Sequence, residues 1–376
     1  MVRIGISPLP ERSLPCPAIV CKCSLRRLAG ARAGPYCGAM EKAVDKAGVR
    51  ARLADVARLA GVSASTVSRV LSRPEVVAHA TRDAVMAAVA ATGYRVNHAA
   101  RNLRKGRTGS VVALVPNLGN PFFAKILEGM SRELAGAGYD LLVADTLDGQ
   151  GRDRALARHL DASRADGIIL LDGHVSLDAL ADPDAPPVVT ACEWIKGASL
   201  PRIMLDNRQG AAMAVAHLRG LGHRHLGLVG GPPDNVLHRA RRIGALQAAR
   251  GLRVTEFPGD FSMQSGRAAA RAWLALAPAD RPAAVFAFSD EMACAFLAEL
   301  QRHGLSVPAQ VSIMGFDDIE LVSHLAPALT TVRQPKRELG RQAARTILDR
   351  IEGRAVAPLT LLAPELMLRE TTAPPP

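Results

Sequence analysis

Long apolar runs are missing from this sequence. No stretch of about 18 uninterrupted apolar residues occurs, which excludes a transmembrane helix. Aromatic residues are scarce, at 3% of the chain, which argues against recognition of RNA or single strands through stacked rings. Cysteine is sparse and unevenly placed. Cys16, Cys21, Cys23 and Cys37 crowd the N-terminal stretch without the paired C-x-x-C spacing of a zinc site. Cys192 and Cys294 sit in apolar surroundings, as in a reduced cytosolic protein. Catalytic signatures are missing too. There is no G-x-x-x-x-G-K-[ST] and no G-x-S-x-G, and Gly149-Gln150-Gly151 lacks the third glycine of a dinucleotide fingerprint.

Acidic residues are short only at one end. Residues 1–107 hold 19 Lys and Arg against 6 Asp and Glu, a net of +13. Residues 108–376 hold 28 against 29, a net of −1. This division points to a small polyanion-binding module joined to a neutral globular body. A chain of 376 residues has room for two or three domains of roughly 100–200 residues each.

Residues 1–49 form an extension without helix or strand patterning. Pro15, Pro17, Lys22 and Cys23 interrupt its only apolar stretch, so no signal-peptide core is formed. Met40 opens Met40-Glu41-Lys42-Ala43 shortly before the first patterned helix. Residues 1–39 therefore read either as upstream sequence ahead of a start at Met40 or as a disordered basic arm.

Patterning begins at Arg52. Val56 and Ala60 are four apart, and Val67 and Val70 three apart, so each pair marks one face of a short helix. Gly61 stands where the first helix must stop and turn, and Ser63 is placed to cap the second. Ala57 is small where two helices would cross. The result is a helix-turn-helix. The plain alternative is any helical hairpin. Against it, Ser65, Thr66, Ser68 and Arg69 give the second helix a face of short hydrogen-bonding groups plus one guanidinium, suited to phosphates and base edges. A third helix is expected from a Thr81 cap through Val85, Ala88 and Val89 to Gly93. The basic segment Asn97-His98-Ala99-Ala100-Arg101-Asn102-Leu103-Arg104-Lys105-Gly106-Arg107 would be a marginal helix alone in water.

From Ser110 onward, short apolar runs alternate with helical stretches. Strands are expected at 111–115, 139–144, 167–171, 188–189, 226–229, 284–287 and 311–314, with helices between them. This alternation predicts doubly wound α/β sheets. Two series of similar length predict two subdomains, with a ligand cleft at strand C-terminal ends. His223 and His225 read as a loop-to-strand junction rather than a metal pair. Asp317 and Asp318 are adjacent, point opposite ways in an extended segment, and make a poor acid–base pair.

Residues 52–107 resemble the headpiece of the lactose-repressor family of bacterial regulators. The resemblance rests on Asp55-Val56-Ala57-Arg58-Leu59-Ala60-Gly61-Val62-Ser63 and Thr66-Val67-Ser68-Arg69-Val70-Leu71. It continues to about residue 372 through Asn120-Pro121-Phe122-Phe123, Asp206-Asn207, Gly222-His223-Arg224, Phe288-Ser289-Asp290, Gly315-Phe316-Asp317-Asp318 and Leu329-Thr330-Thr331-Val332-Arg333-Gln334-Pro335. It implies a helix-turn-helix headpiece (50–96), a hinge helix (97–107), and an α/β periplasmic-binding-protein-like core. The implied core subdomains are 108–206 plus 332–362, and 207–331 plus 363–372, with chain crossings near 206, 331 and 362.

The resemblance also implies roles for single residues. Ala64, Ser65 and Arg69 take base-reading positions, with Thr66 and Ser68 beside them. Asn97, Arg101, Leu103 and Arg104 belong to the hinge, where Leu103 is the minor-groove wedge. Phe122, Phe123, Trp194, Arg241, Phe261 and Asp290 take effector-binding positions, although Phe123 and Phe261 also read as core residues. Cys192-Glu193-Trp194, Leu237-His238-Arg239 and Gly259-Asp260-Phe261-Ser262 look closer to the nucleoside-responsive (cytidine) subgroup than to sugar-responsive members. Leu237 departs from a purine-responsive member, which has a polar effector contact there. The implied protein is a cytoplasmic, nucleoid-associated bacterial regulator, in the repressor sense. It is a homodimer on near-palindromic operator DNA, modulated by a nucleoside or, second, a sugar or sugar acid. No cofactor, metal, membrane or enzymatic activity is expected. The competing readings are a transporter's solute-binding protein and an enzyme on the same scaffold.

Overall fold

The structure is a computed structural model that describes residues 51–95, 107–146, 152–160, 163–176, 178–180 and 184–376. Met40, the four early cysteines, Gly149–Gly151 and the hinge residues Asn97, Arg101, Leu103 and Arg104 lie outside these residues. The chain divides into two units, 1–96 and 97–376.

The first unit contains α1 (Leu53–Ala60), α2 (Ala64–Ser72) and α3 (His79–Thr92). Gly61 ends α1 at φ 64°, a left-handed conformation that costs glycine little. The Ser63 hydroxyl then accepts the Thr66 N–H at 3.1 Å and caps α2. Val56, Ala57, Val67, Val70, Val85 and Ala88 fill the core between the three helices. Thr81 does not cap α3. The cap position is three residues earlier, at Ala78, with no side-chain cap bond. Val77, packed against the headpiece core, brings the chain in ahead of Thr81.

The second unit begins with β1 (Ser110–Val115), α4 (Phe122–Gly136), β2 (Asp140–Asp145), α5 (Arg152–Ala157), β3 (Gly167–Leu170), β4 (Val188–Ala191) and β5 (Arg202–Leu205). It continues with α6 (Asn207–Gly220), β6 (His225–Val229), α7 (Val236–Ala248), β7 (Arg253–Phe257), α8 (Met263–Ala275), β8 (Ala284–Ala287), α9 (Asp290–Arg302) and β9 (Ser312–Asp317). It closes with β10 (Thr330–Arg333), α10 (Lys336–Ile351), β11 (Leu359–Leu362) and β12 (Glu365–Met367). The strands form two sheets, ordered β11-β5-β4-β3-β1-β2 and β12-β10-β9-β8-β6-β7. Every pairing is parallel except β10 with β12. The inner strands β1, β3, β4, β8 and β9 are buried along nearly their whole length, which is why they read as continuous apolar runs.

The chain passes between the sheets three times: at Asp206 after β5, at Gln334 and Pro335 after β10, and at Ala363 and Pro364 after β11. Val332 and Arg333 therefore belong to the second lobe rather than the first. They stay paired with Phe316 and Asp317 on one side and Leu366 and Glu365 on the other. Pro335, which has no N–H to give a ladder, marks the exit. His223 and His225 have separate partners, the Ala373 carbonyl at 2.9 Å and the Thr255 hydroxyl at 2.8 Å, as a strand junction requires.

Candidate nucleic-acid interface and ligand cleft

In the headpiece, burying Val67 and Val70 turns the opposite face of α2 outward. Ala64, Ser65 and Arg69 are exposed on that face, and Thr66 and Ser68 are half-buried beside them. The Ser63 hydroxyl lies 2.8 Å from the hydroxyls of both Ser65 and Thr66, so it orders the first turn of the presented face. The Thr66 side chain thus supports the cap as much as it offers a contact.

Between the two core lobes lies a cavity of about 230 Å³. One wall is aromatic. Asn120 Oδ1 accepts the Phe122 N–H at 2.8 Å and starts α4, which sets Phe122 and Phe123 into the cleft edge to face, with centroids 5.1 Å apart. From the other lobe Phe261 enters at φ 71°, with its ring lying over Gly231. A Cβ on Gly231 would stand 2.2 Å from that ring, so the close approach requires glycine.

Arg241 and Asp317 form the polar floor. Arg241, 2% exposed, donates from Nε to Asn207 Oδ1 at 2.8 Å and from Nη1 to the Phe288 carbonyl. Its guanidinium carbon lies 3.8 Å from the Phe316 ring centroid, and Nη2 lies 3.7 Å from Asp317 Oδ1. Burial pulls the Arg241 pKa down, and the Asp317, Glu193 and Asp290 carboxylates oppose that shift. Burial raises Asp317, against the pull of Arg241 and Lys336. Gln334 Nε2 donates to Asp317 Oδ1 at 2.6 Å, and Lys336 Nζ donates to the Asp317 and Asp318 carbonyls at 2.5 and 2.6 Å. The second chain crossing is therefore tied to a cleft carboxylate. Asp318 faces away, held by Arg333 at 2.7 Å and Arg369 at 2.6 Å.

Two expected effector residues do not line the cavity. Asp290, the first residue of α9, is 0% exposed and turns beneath the cleft. Its carboxylate accepts the Ile319 N–H at 2.9 Å and the Thr331 hydroxyl at 2.5 Å. Asp317 is the carboxylate that lines the cavity instead, with Ser289 and Glu291 flanking the Asp290 backbone there. Trp194 is half-buried and outside the lining. The backbone takes φ 67° at Cys192, and Cys192 and Glu193 both line the cavity while Trp194 does not. Phe122, Phe123, Arg241 and Phe261 do line it, together with Leu237.

Sequence reasoning passed over Asp317, Glu193, His174 and Asn235, all of which line the cavity. The signal for Asp317 was its place at a strand C-terminal end. Asp317 and Asp318 point opposite ways, as expected of adjacent residues, and only Asp317 lines the cavity. Asp172, His174 and Glu193 bring donor atoms within 4.8 Å of one another. The carboxylates already accept from Thr146, His174 N–H, Gly173 N–H and Asn235. We therefore treat this group as cleft wall rather than a metal centre. Burial raises the Glu193 carboxyl, opposed by its Asn235 and Gly173 bonds, and pushes the Cys192 thiol up.

A helix-turn-helix unit with an outward polar face, followed by a two-lobed α/β core around a cleft, defines a ligand-responsive DNA-binding regulator. Comparison with known proteins agrees. A profile described as bacterial regulatory proteins, lacI family, matches residues 52–97, and a periplasmic binding protein-like domain profile matches 215–372. The chain is 34% identical over 330 residues to the HTH-type transcriptional repressor CytR of Escherichia coli K12, covering 86% of this chain and 96% of that repressor. It is 33% identical over 331 residues to the repressor PurR of Photobacterium profundum, covering 85% and 98%. Among solved structures it is similar to the lac repressor dimer bound to operator and the anti-inducer ONPF. That match has a TM-score of 0.77 and 28% identity, covering 86% of this chain and 100% of that one. It is also similar to the regulator CelR in complex with cellobiose, with a TM-score of 0.64, 32% identity and the same coverages. The chain belongs to the lacI family of bacterial regulatory proteins. It is a DNA-binding transcriptional regulator with a ligand-binding core, not an enzyme. Among the described residues no helix is long and apolar enough to cross a membrane.

Proposed function

We propose that this chain is a cytoplasmic, nucleoid-associated repressor that binds a near-palindromic operator as a homodimer and responds to a nucleoside in its core cleft. The DNA reading is carried by the outward face of α2. Ala64 offers apolar contact to a thymine methyl, Ser65 a hydroxyl, and Arg69 a bidentate pair to guanine. In this reading Asn97, Arg101 and Arg104 approach phosphates, and Leu103 wedges the minor groove at the operator centre. Two headpieces read two half-sites.

The observation that carries the effector class is the pairing of three phenylalanine side chains with a carboxylate–arginine floor. Ring faces at Phe122, Phe123 and Phe261 suit a planar base, and acceptors at Asp317, Glu193 and Glu291 suit ribose hydroxyls and an exocyclic amine. Asp290 serves that floor from beneath, through Thr331 and Ile319, rather than as a ligand contact. Trp194 shapes the wall from behind Glu193.

A thermal-shift screen with cytidine, uridine, adenosine, ribose and cellobiose tests this. A ligand at 100 times its Kd adds about 2.7 kcal/mol to stability. A shift with a nucleoside that Asp317→Ala abolishes supports the reading. A shift with ribose or cellobiose alone replaces the nucleoside with a sugar effector.

A further inference from the structure

We propose that Asp166 is a positioning residue that couples the ligand cleft to DNA binding, by pinning the root of the linker to the sheet that forms the cleft wall. This rests on the operator-binding reading above and names the part of the core through which the two sites communicate.

The linker residues 97–106 lead into Arg107, Thr108 and Gly109, which precede β1. Asp166 immediately precedes β3. Its Oδ1 accepts the Thr108 N–H at 2.6 Å, and its Oδ2 accepts the Gly109 N–H at 2.7 Å. The Asp166 N–H donates to the Ser110 carbonyl at 2.8 Å, and the Asp140 N–H donates to the Gly109 carbonyl at 2.9 Å. The Arg107 guanidinium lies over the Tyr139 ring, 5.4 Å from its centroid. The two residues ahead of β1 are thus held from both neighbouring strands, by Asp166 before β3 and by Asp140 at the start of β2.

A carboxylate that takes two successive N–H groups makes two short, charge-assisted bonds. An asparagine there accepts one N–H and aims its own NH2 at the other. Gly109 sits at φ 71°, which lets its N–H turn toward the carboxylate and disfavours any β-branched replacement.

β1 and β3 are paired in parallel and run from this end toward the cavity. β1 continues into Pro116 and Asn117, and β3 into Leu171 and His174, and all four line the cavity. Six residues at roughly 3.3 Å each make β1 a rod about 20 Å long, with ligand contacts at one end and the linker root at the other. A rod transmits a shift only if its near end does not fray. The ladders begin at Ser110, so the Thr108 and Gly109 amides lie outside them. Without Asp166 those two amides open to water, and the linker root loses its tie to β3 while its Asp140–Gly109 bond and the sheet stay intact.

The test uses the full chain, with Asp166→Asn and, independently, Gly109→Val. Affinity is measured for the duplex that the wild-type chain selects from a random pool and for a scrambled duplex, each with and without cytidine. Amide exchange at Thr108 and Gly109 and the melting temperature of the core are followed in parallel. Both variants are expected to exchange the amides at positions 108 and 109 about tenfold faster and to lose roughly fivefold or more of the specific-to-scrambled ratio, with scrambled binding unchanged and core melting within a few degrees of wild type. Where cytidine alters wild-type binding, it should alter the variants' binding much less, at unchanged cytidine affinity. A ratio within about twofold of wild type in both variants overturns the coupling role. A wild-type chain that ignores cytidine overturns the nucleoside reading instead and leaves the DNA comparison to decide this one.

Discussion

Glu193 Oε1 accepts a 2.8 Å hydrogen bond from Asn235 Nδ2, and this bond joins the two lobes across the cleft. Asn235 Oδ1 meanwhile accepts the Leu237 and His238 N–H groups at 2.8 and 3.3 Å and caps α7. The other Glu193 oxygen accepts the Gly173 N–H at 2.9 Å. A single amide therefore starts a helix in one lobe and holds the opposite wall, and the carboxylate it meets is already fixed on its own side.

The Asn235→Asp variant separates those roles. Its carboxylate still caps α7 but faces Glu193 with a like charge, so the lobes should spread. The expected result is a larger radius of gyration in small-angle scattering and ligand binding weakened by about tenfold. Asn235→Ala loses the cap as well, about 1 kcal/mol further in urea unfolding. An Asp variant that scatters like the wild type would show that this bond does not close the cleft.

Gly231→Ala places a methyl group within 2.2–2.6 Å of Phe261 ring atoms. Because those atoms belong to a rigid ring, Phe261 must leave its position over the cavity. Ligand affinity should fall by about tenfold or more, while unfolding changes by only about 1–3 kcal/mol from overpacking. Calorimetric titration with the best ligand of the thermal-shift panel reads the effect, and unchanged affinity would remove Phe261 from the ligand wall.

The Asp290 carboxyl is pushed up to about 7, by burial first and by the nearby Asp317 charge second. A carboxyl whose folded pKa lies above its unfolded value holds its proton more tightly in the folded state. Its stabilising contribution is complete below about pH 3.9 and is lost as pH rises toward about 7. Asp290→Asn removes that titration. Between about pH 5 and pH 7.5 the wild-type Tm should fall relative to that of Asp290→Asn. Parallel pH profiles would mean that Asp290 titrates as an ordinary carboxyl.

In the DNA-binding region, Arg69→Ala should relax base preference at one operator position, at about 1–3 kcal/mol. Leu103→Ala should weaken specific binding far more than non-specific binding, because a wedge acts only where the duplex is bent. Gel-shift titrations against selected and scrambled duplexes measure both. Equal losses on the two duplexes for Leu103→Ala would remove the wedge.

Much of this molecule is legible without coordinates. The headpiece is written in local terms: valines three apart, Gly61 at a turn, Ser63 at a cap, and basic residues without matching acids. Inner strands such as β1 and β8 are legible because burial on both faces leaves an unbroken apolar run. Strands β5, β7, β10, β11 and β12 and helices α8 and α10 are not separately legible. Mixed residues such as the exposed and half-buried alternation of β11 carry a weaker pattern. The cap of α3 falls at Ala78 instead of Thr81, next to Val77, which packs on the headpiece core, a tertiary contact that a capping rule does not contain.

Periodicity and caps within a few residues fix the class of each unit, the turn between α1 and α2, and the outward placement of Ser65 and Arg69. The cleft, by contrast, is a product of long-range packing. It puts Asp317 rather than Asp290, and Glu193 rather than Trp194, against the cavity. Its wall is assembled from loops at the ends of strands far apart in sequence. The backbone takes positive φ at two wall residues, φ 67° at Cys192 and φ 127° at Asp317. Long-range packing, not local pattern, sets those angles.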